Sequence, residues 1–230
     1  MVLLETFCID STEVTASQYQ AFLDSNPLVS DQIAECSFNG TYVPDNGGFC
    51  GFGKYDPAGH PDEPIVCVDW CDAYAYCRFA GKRLCGRKGG GSVDFADYQD
   101  ATKSEWFDAC SDHGARRYPY GDTYQSDSCN GLDHSGCKTG SEPGCRPLPA
   151  GTLPSCASKG GILDLSGNVA EWEDSCDGAT GKKDGCRIRG GTVAASQYEL
   201  ICSEPGMYYG VAPRDGVGEA VGIRCCADPK

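Results

Sequence analysis

No hydrophobic run in this chain approaches the roughly 20 residues that span a bilayer, so membrane insertion is not expected. Basic residues are scarce: 19 Lys and Arg against 33 Asp and Glu leave a formal charge of −14. Nucleic acids and anionic membranes both require a basic face, and neither is expected as a partner. Histidine occurs only three times, as His60, His113 and His134, each in a Gly- or Pro-containing loop where an imidazole is ordinarily solvated. Nucleophile elbow and P-loop are both missing. Lys88 to Ser92 (KGGGS) has three glycines but lacks the Gly-Lys-Ser/Thr ending, and reads as a flexible turn. A Ser-His-Asp set stays open, because its members need not be neighbours in sequence. Neither a repeat of about 20 to 50 residues nor a low-complexity run is present.

Cysteine, glycine and proline are what the chain has in quantity. Its 17 cysteines run from Cys8 to Cys226, and disulfides persist only in oxidising compartments, which predicts a secreted, periplasmic or cell-surface protein. Zinc is the rival reading. Cys67-x-x-x-Cys71 would supply half a site, but no second pair at ligand spacing accompanies it. Met1 to Leu4 is too short for the apolar core of a leader, so export rests on the thiols alone. With 31 Gly and 13 Pro in 230 residues, many turns and short strands are expected around one core, as a single domain over 1–230.

Local signals place the regular elements. Phe7 to Ile9 reads as a strand, and Thr15-x-x-Gln18 as a capping box opening a helix that carries Tyr19, Phe22 and Leu23 on one face and ends before Pro27. Residues 28–63 show no period and form a long excursion. Asp69 caps a second helix with Ala73, Tyr76, Cys77 and Ala80 sharing a face and Gly81 at its stop. A further box, Thr102-x-x-Glu105, opens a short helix with Trp106, Phe107 and Cys110. Scattered short strands, few helices and dense turns make the fold α+β. Close spacing suggests disulfides Cys36–Cys50, Cys71–Cys85, Cys137–Cys145 and Cys176–Cys186.

The stretch Gly161 to Cys176 (GILDLSGNVAEWEDSC) concentrates oxygen donors. Asp164, the carbonyls near Gly167 and Val169, and Glu171 have the mixed carboxylate and carbonyl character that calcium takes from flexible loops. Trp172 would anchor the loop in the core. A surface turn with solvated acids is the plainer alternative. A second oxygen-rich set is Asn130 and Gly131 with Glu142 and Gly144.

This stretch resembles the G-L-x-D-M-x-G-N-V-x-E-W signature of the formylglycine-generating enzyme, or sulfatase-modifying factor, family. Further blocks resemble that family in its order: Phe7 to Leu23 (FCIDSTEVTASQYQAFL), Pro64 to Leu84 (PIVCVDWCDAYAYCRFAGKRL), Lys103 to Cys110 with Tyr118-Pro119-Tyr120-Gly121, and Arg189-Gly190-Gly191 with Val221-Gly222-Ile223-Arg224. The resemblance implies a C-type-lectin-like α+β domain with a small twisted antiparallel sheet, few helices, many loops and termini brought together. It implies structural calcium, a bridge between Cys110 and Cys225, and a buried unpaired thiol at Cys77.

It also implies an oxygen-dependent oxidase that turns a substrate cysteine into formylglycine at one copper ion held by two cysteines just after R-G-G. Soft thiolates select Cu(I). Here the chain departs: the two positions, counted from Gly190-Gly191, are Ala195 and Leu200, and Cys202 is the one thiol between Gly191 and Val211. Copper is therefore not expected. The reading is a secreted, calcium-stabilised binding or structural module for a protein, peptide or glycan, with an oxidase of the family type or one using another metal as the alternative. Residues 192–219 would line the former substrate groove, with Tyr198, Glu199, Tyr208, Tyr209 and Arg214 as contact residues.

Overall fold

The computed structural model describes residues 1–45, 55–137, 145–204, 210–218 and 220–229. Helix α1 (Ala16–Asp24) opens at Thr15, whose side chain accepts from Gln18 N while Gln18 caps Thr15 in return. Helix α2 (Trp70–Phe79) opens on a reciprocal box of Asp69 and Asp72 and stops at Ala80, with Gly81 left-handed beyond it. Helix α3 (Glu105–Ser111) is capped by Ser104 rather than by Thr102. The hydroxyl and N–H of Thr102 are both taken by Asp100, which leaves Ser104 to accept from Phe107 N.

Two four-stranded sheets carry the rest. The first has the order β1 (Val2–Leu3), β2 (Cys8–Ile9), β8 (Cys225–Ala227) and β3 (Arg83–Leu84), all antiparallel. Pairing of β2 with β8 joins the two ends of the chain. The second runs β6 (Val211–Pro213), β5 (Gly185–Arg189), β4 (Ala170–Cys176) and β7 (Val221–Gly222). Its β4–β7 pair is parallel, which a single antiparallel sheet did not anticipate. The fold is a small α+β domain built on these sheets and on cysteine bridges.

Strand alternation decides the bridges. Successive residues of β8 face opposite ways, so Cys225 enters the apolar cluster of α1 and α2 while Cys226 enters that of α3. Cys225 accordingly bonds Cys77, and Cys226 bonds Cys85. Cys110 meets Cys202 instead of Cys225, and Cys77 is not the free thiol. Cys36 joins Cys71 across the excursion rather than Cys50, which lies outside the described residues, and Cys71 is thereby unavailable to Cys85. Cys129 pairs with Cys156, while Cys137–Cys145 and Cys176–Cys186 form at the spacing suggested. Cys8 is the free cysteine among the described residues. Each long bridge is worth about 5 kcal/mol in the chain-entropy model.

Period two also divides β4. Trp172 is fully buried on one face, in the α1/α2 cluster, with its indole N–H on Val68 O at 3.0 Å. Glu171 and Glu173 fall on the other face, toward Trp106 and two arginines, and are equally buried.

Candidate metal centre

A cluster of left-handed residues shapes the Gly161 to Cys176 loop: Asp164 (φ 61°), Gly167 (φ 75°) and Asn168 (φ 59°). Gly167 is required here, because a Cβ would lie 2.5 Å from Asn130 O. The turn delivers Asn168 into the interior. Its Nδ2 donates to Glu13 Oε2 at 2.7 Å, and its Oδ1 accepts from Asn130 Nδ2 at 2.9 Å and Leu148 N at 2.8 Å. Val169 N donates to the other oxygen of Glu13 at 3.1 Å.

Glu171 sits behind this turn. Its carboxylate receives Arg224 Nη2 at 2.7 Å and Nε at 2.9 Å, and Trp106 Nε1 at 2.7 Å. Arg224 completes its donors on the carbonyls of Asp10 and Leu163. Asp164 receives Gly151 N at 2.6 Å.

Charge is out of balance at this centre. Burial first, then Asp164 and Glu171, hold Glu13 well above the usual carboxylate range against the opposing pull of Arg224, and burial likewise raises Asp164. Three buried carboxylates therefore face one guanidinium, and a buried surplus of that kind is costly without a proton or a cation. A hard divalent ion suits oxygen donors of this type. No group of three or more His, Cys, Asp or Glu placed to hold a metal ion occurs among the described residues, so main-chain carbonyls would have to complete a shell. Glu13 was not visible as a partner in the sequence: 151 positions separate it from Asp164, and its one signal is an acid set between a strand and a helix cap.

The second oxygen-rich set is only partly described. Asn130 is buried with Nδ2 on Arg146 O and Asn168 Oδ1, bridging two loops, and Gly131 packs against Leu200 and Ala195. Glu142 and Gly144 lie outside the described residues.

Where the resemblance places two copper thiolates, the chain has apolar packing. Ala195 and Leu200 are buried in one cluster with Tyr118, against which Tyr120, Tyr124 and Ile201 pack. Cys202 is bonded to Cys110. Neither position offers a soft donor, and the donor set does not fit copper. Outside this cluster Tyr198 is 64% exposed, and Glu199 folds back to accept from Ser196 N at 2.8 Å. Tyr208 and Tyr209 lie outside the described residues. Arg214 does not belong to this wall: it is buried, its guanidinium 4.3 Å over the Trp70 ring and 3.3 Å from Asp184. Arg214 and Trp70 instead line a separate cavity together.

Two of the histidines are engaged locally. His60 meets Glu63 at 3.0 Å and His113 meets Asp108 at 2.8 Å, both as local pairs.

Comparison with known proteins identifies the family and the fold. The sulfatase-modifying factor enzyme 1-like domain family matches residues 1–229. A hercynine oxygenase of Mycolicibacterium thermoresistibile is 32% identical over 119 residues, 50% of this chain and 21% of the relative. A formylglycine-generating enzyme of Streptomyces coelicolor is 30% identical over 126 residues, 52% of this chain and 34% of the relative. These matches span about a fifth of the first relative and about a third of the second. In three dimensions PvdO of Pseudomonas aeruginosa superposes with a TM-score of 0.62 at 18% identity, covering 97% of this chain and 80% of its own. Treponema denticola variable protein 1 does so at 0.56 and 20%, covering 97% and 84%. At such identities these two show the fold alone.

Proposed function

Because the chain belongs to the sulfatase-modifying factor enzyme 1-like family, we propose that it serves as a secreted, calcium-stabilised binding or structural module, a single domain over 1–230, rather than as a copper oxidase. One observation carries this reading: Ala195 and Leu200 lie in an apolar cluster and the nearby Cys202 is spent on Cys110. Thiolate ligation needs free sulfur, and the position supplies none.

Calcium would be held by Asp164 with the carbonyls of Gly167 and Val169 and the carboxylate of Glu171. Glu13 stands behind them as the acid that a cation would relieve. Bound there, the ion would neutralise the surplus charge and fix the turn that seats Trp172. Asn130, Gly131, Glu142 and Gly144 would form the second site. The numerous bridges favour an oxidising compartment, and no helix among the described residues is long and apolar enough to cross a membrane.

A metal-dependent oxidase is the second reading, favoured by the activities for which the two sequence relatives are named. Incubation with a cysteine-containing sulfatase-motif peptide, oxygen and copper decides between them. The module forms no formylglycine above a no-protein control; formylglycine production overturns it.

A further inference from the structure

Away from the metal centre, two cavities open side by side along α2 and share Ile33 and Tyr74 in their walls. The first, about 340 Å³, is mainly apolar and includes Leu28, 64% exposed, and Phe79, 48% exposed. Gln32 lines it too. The amide of Gln32 donates to Val29 O and Asn39 O, while its Oε1 is buried without a hydrogen-bond partner.

The second cavity, about 600 Å³, differs in charge: the first has one acid, Asp31, and one base, Arg78, in its wall, and the second has an excess of acids. Glu35, Asp174 and Asp177 line it. Arg214 is the one base in its wall, and is already engaged by Asp184 and Gly178 O. Asp174 is the informative member. Ser92 donates to its Oδ1 at 2.6 Å, no cation lies within ion-pair distance of it among the described residues, and burial raises its pKa. Arg214 and Arg83 act on it only at longer range and partly offset that burial, so with Glu35 and Asp177 in the same wall acids still outnumber bases there, three to one.

We propose that this double cavity is a docking groove for an extended peptide segment of a partner protein, with a bulky aliphatic side chain in the Leu28–Phe79 end and an arginine or lysine in the Asp174 end. Charge complementarity selects that occupant. An acidic segment would be repelled by the carboxylates, and a purely apolar one would leave the larger cavity unused. Side chains two apart on an extended segment project to the same side about 7 Å from each other, which suits two adjoining pockets. The groove names the class of ligand for the binding-module reading and rests on that reading, but it uses none of the residues at the metal centre or at Ala195 and Leu200. Failure of the groove therefore leaves the formylglycine test untouched.

The test is an amide NMR titration of the whole protein with capped glycine peptides carrying one leucine and one arginine separated by one, two or three glycines. The best of them should shift amides around Tyr74 and Ser92. Replacing its arginine with glutamate should weaken binding at least about tenfold, and about 0.3 M salt should weaken the arginine peptide several-fold. Asp174→Asn should cost about tenfold, and Leu28→Ser, on an exposed side chain, about threefold, with Glu35→Gln as a second surface variant should Asp174→Asn fold poorly. The proposal is overturned by absence of shifts at millimolar peptide, by equal affinity for the glutamate peptide, or by binding that none of these variants changes.

Discussion

The carboxylate centre of Glu13, Asp164 and Glu171 and the apolar position at Ala195 and Leu200 stand at two of the places where family resemblance expects a metal, yet they have opposite chemistry. At the first, three buried acids share one guanidinium, and Glu171 accepts from the buried donors of Arg224 and Trp106. At the second, tyrosine, alanine and leucine close over the position without a thiolate donor. The fold itself does not need the second chemistry, since apolar packing fills the space and holds the loop. It does depend on the first, because removing Arg224 would leave buried carboxylates with no cation beside them.

The largest effect should follow from cutting that dependence. Arg224→Met leaves Glu171 buried against Trp106 with no cation and should cost about 3 to 5 kcal/mol in urea unfolding. A variant within about 1 kcal/mol of wild type would show that the carboxylates do not rely on this arginine.

At the apolar position, Leu200→Ala should cost about 2 to 4 kcal/mol as a cavity in a packed cluster. Calcium content should not change. Loss of metal together with Leu200 would join the two regions that the account separates.

Chelation comes next. At a calcium concentration about a hundredfold above its dissociation constant, the folded state gains roughly 2.7 kcal/mol, which excess chelator should remove as a lower melting temperature. Asp164→Asn tolerates the left-handed backbone and should make the melt insensitive to chelator, whereas Leu200→Ala should remain sensitive. Identical melts with and without chelator would leave the centre to protons alone.

The smallest effect uses a third pair of buried acids as a control. Burial pushes Asp69 up to about 6 and raises Asp72, with no arginine beside them and no cation proposed. A folded pKa above the unfolded one means that the folded state holds more protons. This stability is fully present below about pH 4 and is lost as pH rises through about 6. About 1 to 2 kcal/mol should disappear over that window in chelator, the pair sharing its proton through Asp72. Asp69→Asn should flatten the curve, and a curve of unchanged slope would remove Asp69 as its source.

These regions were unequally legible in the sequence. Capping at Thr15 and Asp69 is local chemistry and could be read directly, as could the two disulfides of short separation, Cys137–Cys145 and Cys176–Cys186. Long bridges could not be read, because Cys225 and Cys226 are adjacent in sequence and opposite in space once β8 forms. Thr102 offered the same box pattern as Thr15 but lost its hydroxyl to Asp100, a competition that spacing does not reveal. At the centre the acids of one loop were visible, whereas Glu13 and Arg224 arrive through tertiary packing. Arg214 does line a cavity, but one it shares with Trp70 and Asp174 rather than with Tyr198 and Glu199, a placement that its position in the sequence does not reveal.

Metal content is the most direct test of the contrast between the two regions. Protein purified without chelator and dialysed against calcium and copper together, then washed in metal-free buffer, should retain calcium in stoichiometric amount and no copper. Retention of stoichiometric copper, or of neither metal, would contradict the account.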